Sequence, residues 1–305
     1  MRRFSRSAVA VAAGAGALAL TVAGLAPATA ITGGAADGSG HPNVVMLLFY
    51  AKDAPGDPVA YRYRCSGSLV SEHVVLTAGH CTDGVVGKTL VFFQSEIALK
   101  SPSLLPYAEG DSGPEGSAGG FVGTEVDGKG RTYSVGVSQN APGFQLTYKD
   151  ATHLDVGAVV LQSAAAATPV ALAPTGAIDR IPQSSLNSTL FTEVGYGTEV
   201  RKPDSGPRKP TPESYPLIRR VATANGQKAG PRILYTNGNP NNAQAGKGDG
   251  GTCFGDSGGP VFLPNGTQVA VTSFGYTSNC RYVDAMQRVD IPEVHTWLAS
   301  LESAS

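Results

Sequence analysis

GDSGGP at residues 255–260 places Ser257 in a turn of small residues, and two upstream segments accompany it. These are TAGHC at residues 77–81, which contains His80, and DVGAVVL at residues 155–161, which begins with Asp155. A serine hydroxyl is a poor nucleophile at neutral pH unless a base takes its proton, and that base needs an acid to orient it. The order histidine, aspartate, serine therefore predicts that Ser257, His80 and Asp155 act together.

The three motifs resemble those of the secreted serine endopeptidases of the chymotrypsin and trypsin type, over about residues 31–297. The resemblance implies two antiparallel six-stranded β-barrels, with the active site between them and a C-terminal helix. It implies peptide-bond hydrolysis through an acyl-enzyme, in which Ser257 attacks, His80 transfers the proton and Asp155 holds His80. The backbone N–H groups of Gly255 and Ser257 would form the oxyanion hole.

Composition agrees with an all-β chain. The 305 residues include 39 Gly and 21 Pro, and they carry short β-branched runs, a pattern typical of strands joined by many turns. A formal net charge of −1 gives no electrostatic reason to expect nucleic acid or an anionic membrane as a partner. We expect polypeptide substrates, protein protease inhibitors as a further class of partner, a monomeric chain and no cofactor.

The N-terminus predicts export. Basic residues at 2, 3 and 6 precede an apolar run over residues 8–25, and Ala28-Thr29-Ala30 provides a cleavage site. We therefore predict a signal peptide over residues 1–30, similar to those of actinobacteria, and a secreted protease domain over residues 31–305. A membrane anchor is the alternative, because the run is about the minimum spanning length, but the cleavage site favours removal.

Cleavage after Ala30 would leave ITGG, residues 31–34, as the new N-terminus. The resemblance implies that the α-ammonium of Ile31 folds inward and pairs with Asp256. We therefore hypothesise that signal peptidase generates the active N-terminus directly. The alternative is cleavage at another bond or further trimming.

Four cysteines in an exported chain predict two disulfides, with three connectivities open. The resemblance implies the pairs Cys65–Cys81 and Cys253–Cys280. A zinc site is the competing interpretation, but no two cysteines have the C-x-x-C spacing, so we expect no metal.

Strand-like runs divide into two groups. We expect a first barrel over about residues 31–165, a second over about 185–289, and a helix over about 290–302. The predicted strands are 43–50, 66–76, 89–99, 132–138 and 155–162 in the first group, and 189–196, 216–223, 232–236, 260–263, 267–275 and 283–289 in the second.

The specificity pocket is less clearly defined. In the resembling family, Ser273 would support the Asp155 carboxylate, and the backbone of Phe274 and Gly275 would pair with substrate. Trypsin-like members carry an acid where this chain has Gly251, followed by Thr252, which favours a neutral or apolar P1 side chain.

Asp284 leaves a basic P1 preference as the alternative, since some members place a substitute acid near that position. The other histidines, His41, His73, His153 and His295, lack comparable motifs, and we expect them to be structural or exposed.

Two other classes of protein fit parts of the pattern. An α/β-hydrolase esterase would share Gly-x-Ser-x-Gly, but that fold has the order Ser…Asp…His and a helix after the serine. Here Gly-Gly-Pro and a strand-like run follow Ser257. A catalytically silent binding protein on a protease fold remains the second alternative, although such proteins usually lose a member of the triad.

Overall fold

The computed structural model describes residues 31–51, 61–97, 124–126, 132–200, 213–214, 217–239, 248–277, 280 and 282–303. The predicted signal peptide at residues 1–30 lies outside this range. Within the described ranges, no helix combines the length and the apolar character needed to cross a membrane.

The first half of the chain forms a closed antiparallel barrel. The order is β5-β2-β3-β4-β8-β7, and β7 pairs back with β5 to complete a ring of six strands, while β6 extends β7. The strands are β1 (Ala35–Ala36), β2 (Val44–Ala51), β3 (Tyr61–Leu69), β4 (Val74–Thr77), β5 (Thr89–Phe92), β6 (Thr124–Val126), β7 (Thr132–Asn140) and β8 (Gly157–Leu161).

The second half repeats this architecture. The order β9-β12-β13-β16-β15-β14 closes by pairing of β14 with β9, and β1 adds to β12 at the edge. Two six-stranded barrels are thus confirmed. The strands are β9 (Leu190–Gly195), β10 (Glu199–Val200), β11 (Glu213–Ser214), β12 (Arg220–Ala229), β13 (Ile233–Asn237), β14 (Pro260–Phe262), β15 (Gln268–Gly275) and β16 (Val283–Arg288), of which β10 and β11 form a separate pair.

Strand β2 is apolar and buried along its whole length because both of its faces meet protein. Val45, Leu47 and Phe49 point into the core of the first barrel. The alternate residues Val44, Met46, Leu48 and Tyr50 join a cluster that includes Val194, Tyr196 and Phe262 of the second barrel. Successive side chains of a strand point to opposite faces, so one face of β2 packs inside the first barrel and the other packs against the second barrel.

Three α-helices accompany the barrels in the described part of the chain: α1 (Gly79–Thr82), α2 (Gln183–Leu186) and α3 (Pro292–Glu302). Pro292 stands in the first turn of α3, where its missing N–H has no intrahelical partner to lose. Val294, Trp297, Leu298 and Leu301 share one buried face, at the spacing of a helix. They pack in one cluster with residues of β4, β8 and β15, so α3 covers the seam between the barrels.

Some strand boundaries differ from the predictions. The predicted strand 66–76 is two strands, β3 and β4, because the backbone turns between Val70 and Val74, where the N–H of Val70 donates to Val74 O at 2.8 Å. The predicted strand 89–99 ends at Phe92, and 216–223 is replaced by β12, which runs from Arg220 to Ala229. The domain boundaries at 165 and 185 stay predictions.

Candidate active site

The pairing of β4 with β8 brings His80 and Asp155 together. Thr77 at the end of β4 lies opposite Gly157 at the start of β8, so the residue after one strand meets the residue before the other. Asp155 Oδ1 accepts the backbone N–H of His80 at 2.7 Å, and its Oδ2 lies 2.8 Å from His80 Nδ1. The carboxylate therefore fixes both the position and the tautomer of the imidazole, with Nδ1 protonated and Nε2 left as the basic nitrogen.

Asp155 is fully buried, and the hydrogen bonds that its carboxylate accepts favour its ionised form. Burial alone would raise the pKa of its carboxyl, but hydrogen bonds from His80 and Ser273, with the charge of His80, hold the pKa below its ordinary value. Ser273 Oγ donates to Oδ2 at 2.6 Å, and the backbone N–H of Asp155 donates to Gln287 Oε1 at 2.8 Å. Ser273 therefore contacts Asp155 as expected from the resemblance.

Ser257 lies on the loop before β14, and the first barrel holds that loop. Ser66 N donates to Ser257 O at 2.8 Å, and Ser66 Oγ donates to Gly255 O at 2.9 Å. Ser257 and His80 line one cleft. Within the described residues no hydrogen bond joins Ser257 Oγ to His80. Such bonds are often long in unliganded sites and shorten when substrate binds.

Two backbone N–H groups beside Ser257 are available to an acceptor from outside. The amides of Gly255 and Ser257 donate to no other group in the described part of the chain. Phe254 O accepts from Thr198 N at 2.7 Å, and in a trans peptide the N–H of Gly255 must point the opposite way. Gly255 has a φ of 93°, which an L side chain rarely adopts, so glycine is required here.

Asp256 is fully buried beside the same loop. Its carboxylate accepts the N–H groups of Gly197 at 2.7 Å and Cys253 at 2.9 Å. Burial raises the pKa of this carboxyl to about 7, with the two amides and the charge of Arg64 opposing the rise. Ile31 is also fully buried, and its neighbour Thr32 forms a β-bridge with Gly251 in the segment that precedes this loop.

The cleft has a volume of about 420 Å³ and extends from His80 to Asp284. Of the predicted pocket residues, Thr252, Ser273, Phe274, Gly275 and Asp284 line it, whereas Gly251 is buried beside it. Its rim also carries Leu146, Phe254 and Tyr276, all exposed, which sequence analysis did not single out. A patch of exposed apolar side chains is a sign of a binding site. These residues are far apart in the sequence, so only the folded structure shows that they form such a patch.

Asp284 faces the position of Gly251 across the base of the cleft. It lies on β16 opposite Gly275 of β15, and its Oδ2 accepts the N–H of Thr252 at 2.8 Å. A Cβ atom placed on Gly251 would lie 2.8 Å from Asp284 Oδ2. The backbone of Gly238, which lies even closer to that Cβ position, and the Asp284 carboxylate thus leave no space for a side chain at position 251.

A comparison with known proteins decides the family. The family model for Trypsin matches residues 33–102 and 130–298, which is well over half of the chain. The chain belongs to the trypsin family.

Solved structures agree on the fold. HL collagenase is 17% identical, with 88% of this chain and 96% of that chain covered and a TM-score of 0.54. Human heparin binding protein is also 17% identical, with 90% and 98% covered and the same TM-score of 0.54. At this identity the two likenesses show the shared trypsin-family fold and nothing further.

In this member of the trypsin family, His153 has a position that sequence analysis did not foresee. It is fully buried, with Nε2 3.1 Å from Ser273 Oγ and Nδ1 2.7 Å from Thr147 O. A carbonyl oxygen only accepts, so Nδ1 carries the proton. Burial lowers the pKa of His153, although the charge of Asp155 opposes this. Nε2 of His153 thus lies beside the Ser273 hydroxyl, whose proton is donated to Asp155 Oδ2.

Two disulfides, Cys65–Cys81 and Cys253–Cys280, are present, so the predicted number is confirmed. The first anchors helix α1, which carries His80, and the second joins the loop of Ser257 to the wall before β16. Cys65, Cys81 and His80 lie close enough together to suggest metal ligands. However, both sulfurs are bonded to each other, and a disulfide sulfur lacks the thiolate that a metal prefers.

Proposed function

We propose that the chain is a secreted serine endopeptidase. The observation that carries the proposal is the cleft itself, where Ser257 and the Asp155-oriented His80 lie beside two amides without an internal acceptor. Membership of the trypsin family supports the same activity. A Ser-His-Asp site of this kind acts on polypeptides, and protein inhibitors would bind to the same cleft.

The chemistry follows from the geometry. Ser257 Oγ attacks the carbonyl carbon of the scissile peptide bond while its proton passes to His80 Nε2. The carbonyl oxygen gains the negative charge and accepts the N–H groups of Gly255 and Ser257. His80 then gives its proton to the leaving amine, the C–N bond breaks, and an acyl-enzyme ester remains. Water, deprotonated by His80, repeats the sequence and releases the acid. Asp155 stays ionised and stabilises the protonated His80.

The substrate backbone has an unpaired strand edge to bind. Strand β14 pairs with β15 only as far as Val271, so residues 273–275 have no strand partner on that side among the described residues. An extended peptide would add there as an antiparallel strand, with Phe274 and Gly275 as its partners. This arrangement would hold the P1 side chain over the base of the cleft and the scissile carbonyl next to Ser257.

The position of Asp284 supports the basic alternative for P1. Sequence favoured a neutral side chain because Gly251 lacks an acid, yet the carboxylate of Asp284 occupies the space beside it. An ionised acid at the base of a cleft favours a cationic P1 group, so we infer that lysine or arginine binds when Asp284 is charged.

Activation is proposed to depend on the N-terminus. Ile31 is fully buried, and Asp256 is a fully buried acid whose charge needs a partner. An α-ammonium created by cleavage after Ala30 would supply that partner, which supports processing by signal peptidase alone.

A silent binding protein is the second candidate, since one structural neighbour is titled a heparin binding protein. The intact set of Ser257, His80 and Asp155 favours hydrolysis over that candidate. The deciding experiment treats secreted, N-terminally sequenced protein with a serine-directed fluorophosphonate probe, with Ser257→Ala as the control. One adduct on Ser257 in chains beginning at Ile31 supports the peptidase. No adduct on such chains supports the binding protein, and no adduct on a longer form indicates an additional activation step.

A further inference from the structure

Arg219 is a buried cation that the proposed reaction does not use. It lies just before β12, and its side chain is 2% exposed. Its Nε donates to Asp37 Oδ2 at 2.7 Å, and the Asp37 side chain is 1% exposed. Desolvating two charges costs free energy, so a pair as dry as this one needs good geometry and further hydrogen bonds to offset the cost. The other contacts of Arg219 therefore show what the pair holds together.

The remaining N–H groups of Arg219 reach three parts of the chain. Nη2 donates to Gly38 O at 2.8 Å, in the N-terminal segment (residues 31–41). Nη1 lies 3.1 Å from both Val44 O of β2 and Phe93 O, which follows β5, and 3.2 Å from the hydroxyl of Tyr196, which follows β9. A planar guanidinium with five donors can contact several acceptors at once. Arg219 therefore joins the N-terminal segment to both barrels.

Asp37 fastens the N-terminal segment to this arginine. Its backbone N–H donates to Arg219 O at 2.9 Å, directly after β1 pairs with β12. Its Oδ2 also accepts the N–H of His41 at 2.9 Å, and its Oδ1 lies 2.5 Å from His41 Nδ1. Burial alone would raise the pKa of Asp37, but hydrogen bonds from His41 and Arg219 hold the pKa below its ordinary value. The carboxylate is therefore charged, and it is held by backbone and side chain alike.

Tyr196 extends the connection from Arg219 towards the loop of Ser257. It is fully buried, and its hydroxyl accepts from Arg219. Its backbone N–H donates to Ser66 Oγ at 2.9 Å. Ser66 in turn donates from its hydroxyl to Gly255 O and from its N–H to Ser257 O. The position of Tyr196 thus affects the group that holds the loop of Ser257 against the first barrel.

Gly197 and Thr198, the next two residues, hold the same loop directly. Gly197 N donates to Asp256 Oδ1 at 2.7 Å, and Thr198 N donates to Phe254 O at 2.7 Å. Phe254 O and the N–H of Gly255 belong to one planar peptide unit, so a shift of Thr198 would turn that N–H as well. Residues 196–198 therefore support the amide that we propose as an oxyanion donor.

We propose that Arg219 is a positioning residue for the loop of Ser257, and that its pairing with Asp37 makes the order of this loop depend on the N-terminal segment. Arg219 is buried and lies outside the lining of the cleft, so it acts through its neighbours and not on substrate. The inference rests on the proposed peptidase function, because it concerns the regulation of the same site. It differs from the proposed pairing of Ile31 with Asp256, since the cation is a side chain that is charged before and after N-terminal cleavage.

The main variant removes both charges of the pair. Asp37→Asn with Arg219→Met leaves no unpaired buried charge, so we expect it to fold. Asp290→Asn with Arg288→Met is the matched control, because this pair joins at 2.9 Å and is equally buried, at 0% and 2% exposure. Arg288 also donates to Asp179, in the second half of the chain and away from the N-terminal segment. Arg219→Lys keeps the charge without the fork of donors and should show smaller effects in the same direction, which tests the proposal if the double variant fails to fold.

Amide hydrogen exchange tests the connection without any substrate. The native protein and both double variants are compared well below their melting temperatures. The informative amides are those of Thr198, Asp256 and Gly258, which donate to backbone carbonyls in and around the loop. Their exchange should accelerate at least about fivefold without the Asp37–Arg219 pair, since coupling between two sites commonly amounts to about 5- to 150-fold. Native rates in the control support the proposal, whereas acceleration in residues 31–41 alone, or to the same extent in both double variants, overturns it.

Fluorophosphonate labelling separates this inference from the proposed function. If Ser257 reacts in the native protein, its labelling rate should fall at least about fivefold without the Asp37–Arg219 pair and stay native in the control. Labelling at the native rate in both double variants overturns the positioning role. If Ser257 does not react in the native protein, the proposed function fails, and hydrogen exchange at the three loop amides still decides whether Arg219 positions the loop.

Discussion

The proposed pairing of the Ile31 ammonium with Asp256 predicts a large effect from one extra residue. The change is a mature chain that begins with alanine before Ile31, which moves the ammonium out of its buried position. Asp256 is fully buried, and without the Ile31 ammonium its pKa is about 7 instead of 3.8, although the charge of Arg64 opposes the rise. That difference of about three units corresponds to about 4 kcal/mol, within the range of about 3–5 kcal/mol for breaking a buried pair.

If the whole of that energy maintains the ordered site, the extended enzyme should lose about 10³-fold in kcat/KM. The loss in kcat/KM should reach this full value above about pH 7, where the unpaired carboxyl of Asp256 would have to be charged. It should shrink as pH falls, because the folded state binds the proton more tightly than the unfolded state does. The assay is anilide hydrolysis together with the rate of fluorophosphonate labelling at Ser257, from pH 6 to 8.5. Ile31→Val at native length is the control, and an extended enzyme with full activity would refute the reasoning.

Four further predictions follow from the site. The hydrogen bonds to Asp155 hold its pKa below the ordinary value, so its carboxylate should stay ionised from pH 5 to 8, and a titration that shows Asp155 taking up a proton in that range would contradict this. Ser273→Ala removes a hydrogen bond to a buried charge and should lower kcat/KM about 10- to 100-fold, as measured by anilide hydrolysis. His153→Gln should lower it less than about tenfold, since His153 reaches Asp155 only through Ser273. Gly275→Val places a branched side chain in the cleft, so hydrolysis after large P1 residues should fall at least about 100-fold while hydrolysis after alanine persists.

The structure brings together the three residues that short motifs singled out: His80 contacts Asp155, and Ser257 lines the same cleft as His80. Ser257, His80 and Asp155 each sit in a local segment whose small or apolar neighbours set the turn or strand around it. Where a strand was predicted from the local sequence pattern alone, its boundaries in the structure differ from the predicted ones. The run 66–76 contains enough β-branched residues for one strand, but Ser71, Glu72 and His73 form the turn between two.

Residues whose roles depend on barrel closure were not found. Glu193 lies in the β9 sequence LFTEVG, which has no regular apolar–polar alternation to show which face is buried, and only pairing with β12 and β14 turns Glu193 inward. His153 likewise has no motif, since its partner Ser273 is 120 residues away. Asp284 was noticed, but its direction relative to Gly251 required the β15–β16 register.

Other buried charges in the second barrel help to separate function from folding. Arg288 is buried, and its guanidinium donates to Asp290 Oδ1 at 2.9 Å and to Asp179 Oδ1 at 2.7 Å, so its charge is matched. Glu193 accepts a hydrogen bond from Thr236, and no cation among the described residues forms an ion pair with it. A valine in its place would gain about 1.5–3 kcal/mol from apolar burial and would avoid the cost of a buried acid.

Stability alone would therefore not select Glu193. The barrel accommodates this glutamate at a cost, and Asp284 is the only acid among the described residues that line the cleft, so we propose that substrate recognition rather than folding accounts for Glu193. If Glu193→Val raises the melting temperature while it weakens the preference for lysine at neutral pH, stability and selectivity are in opposition at this position. If the variant is less stable and keeps the native preference for lysine, Glu193 has a structural role. In that case the contrast between the paired charge of Arg288 and the unpaired acid Glu193 does not separate function from folding.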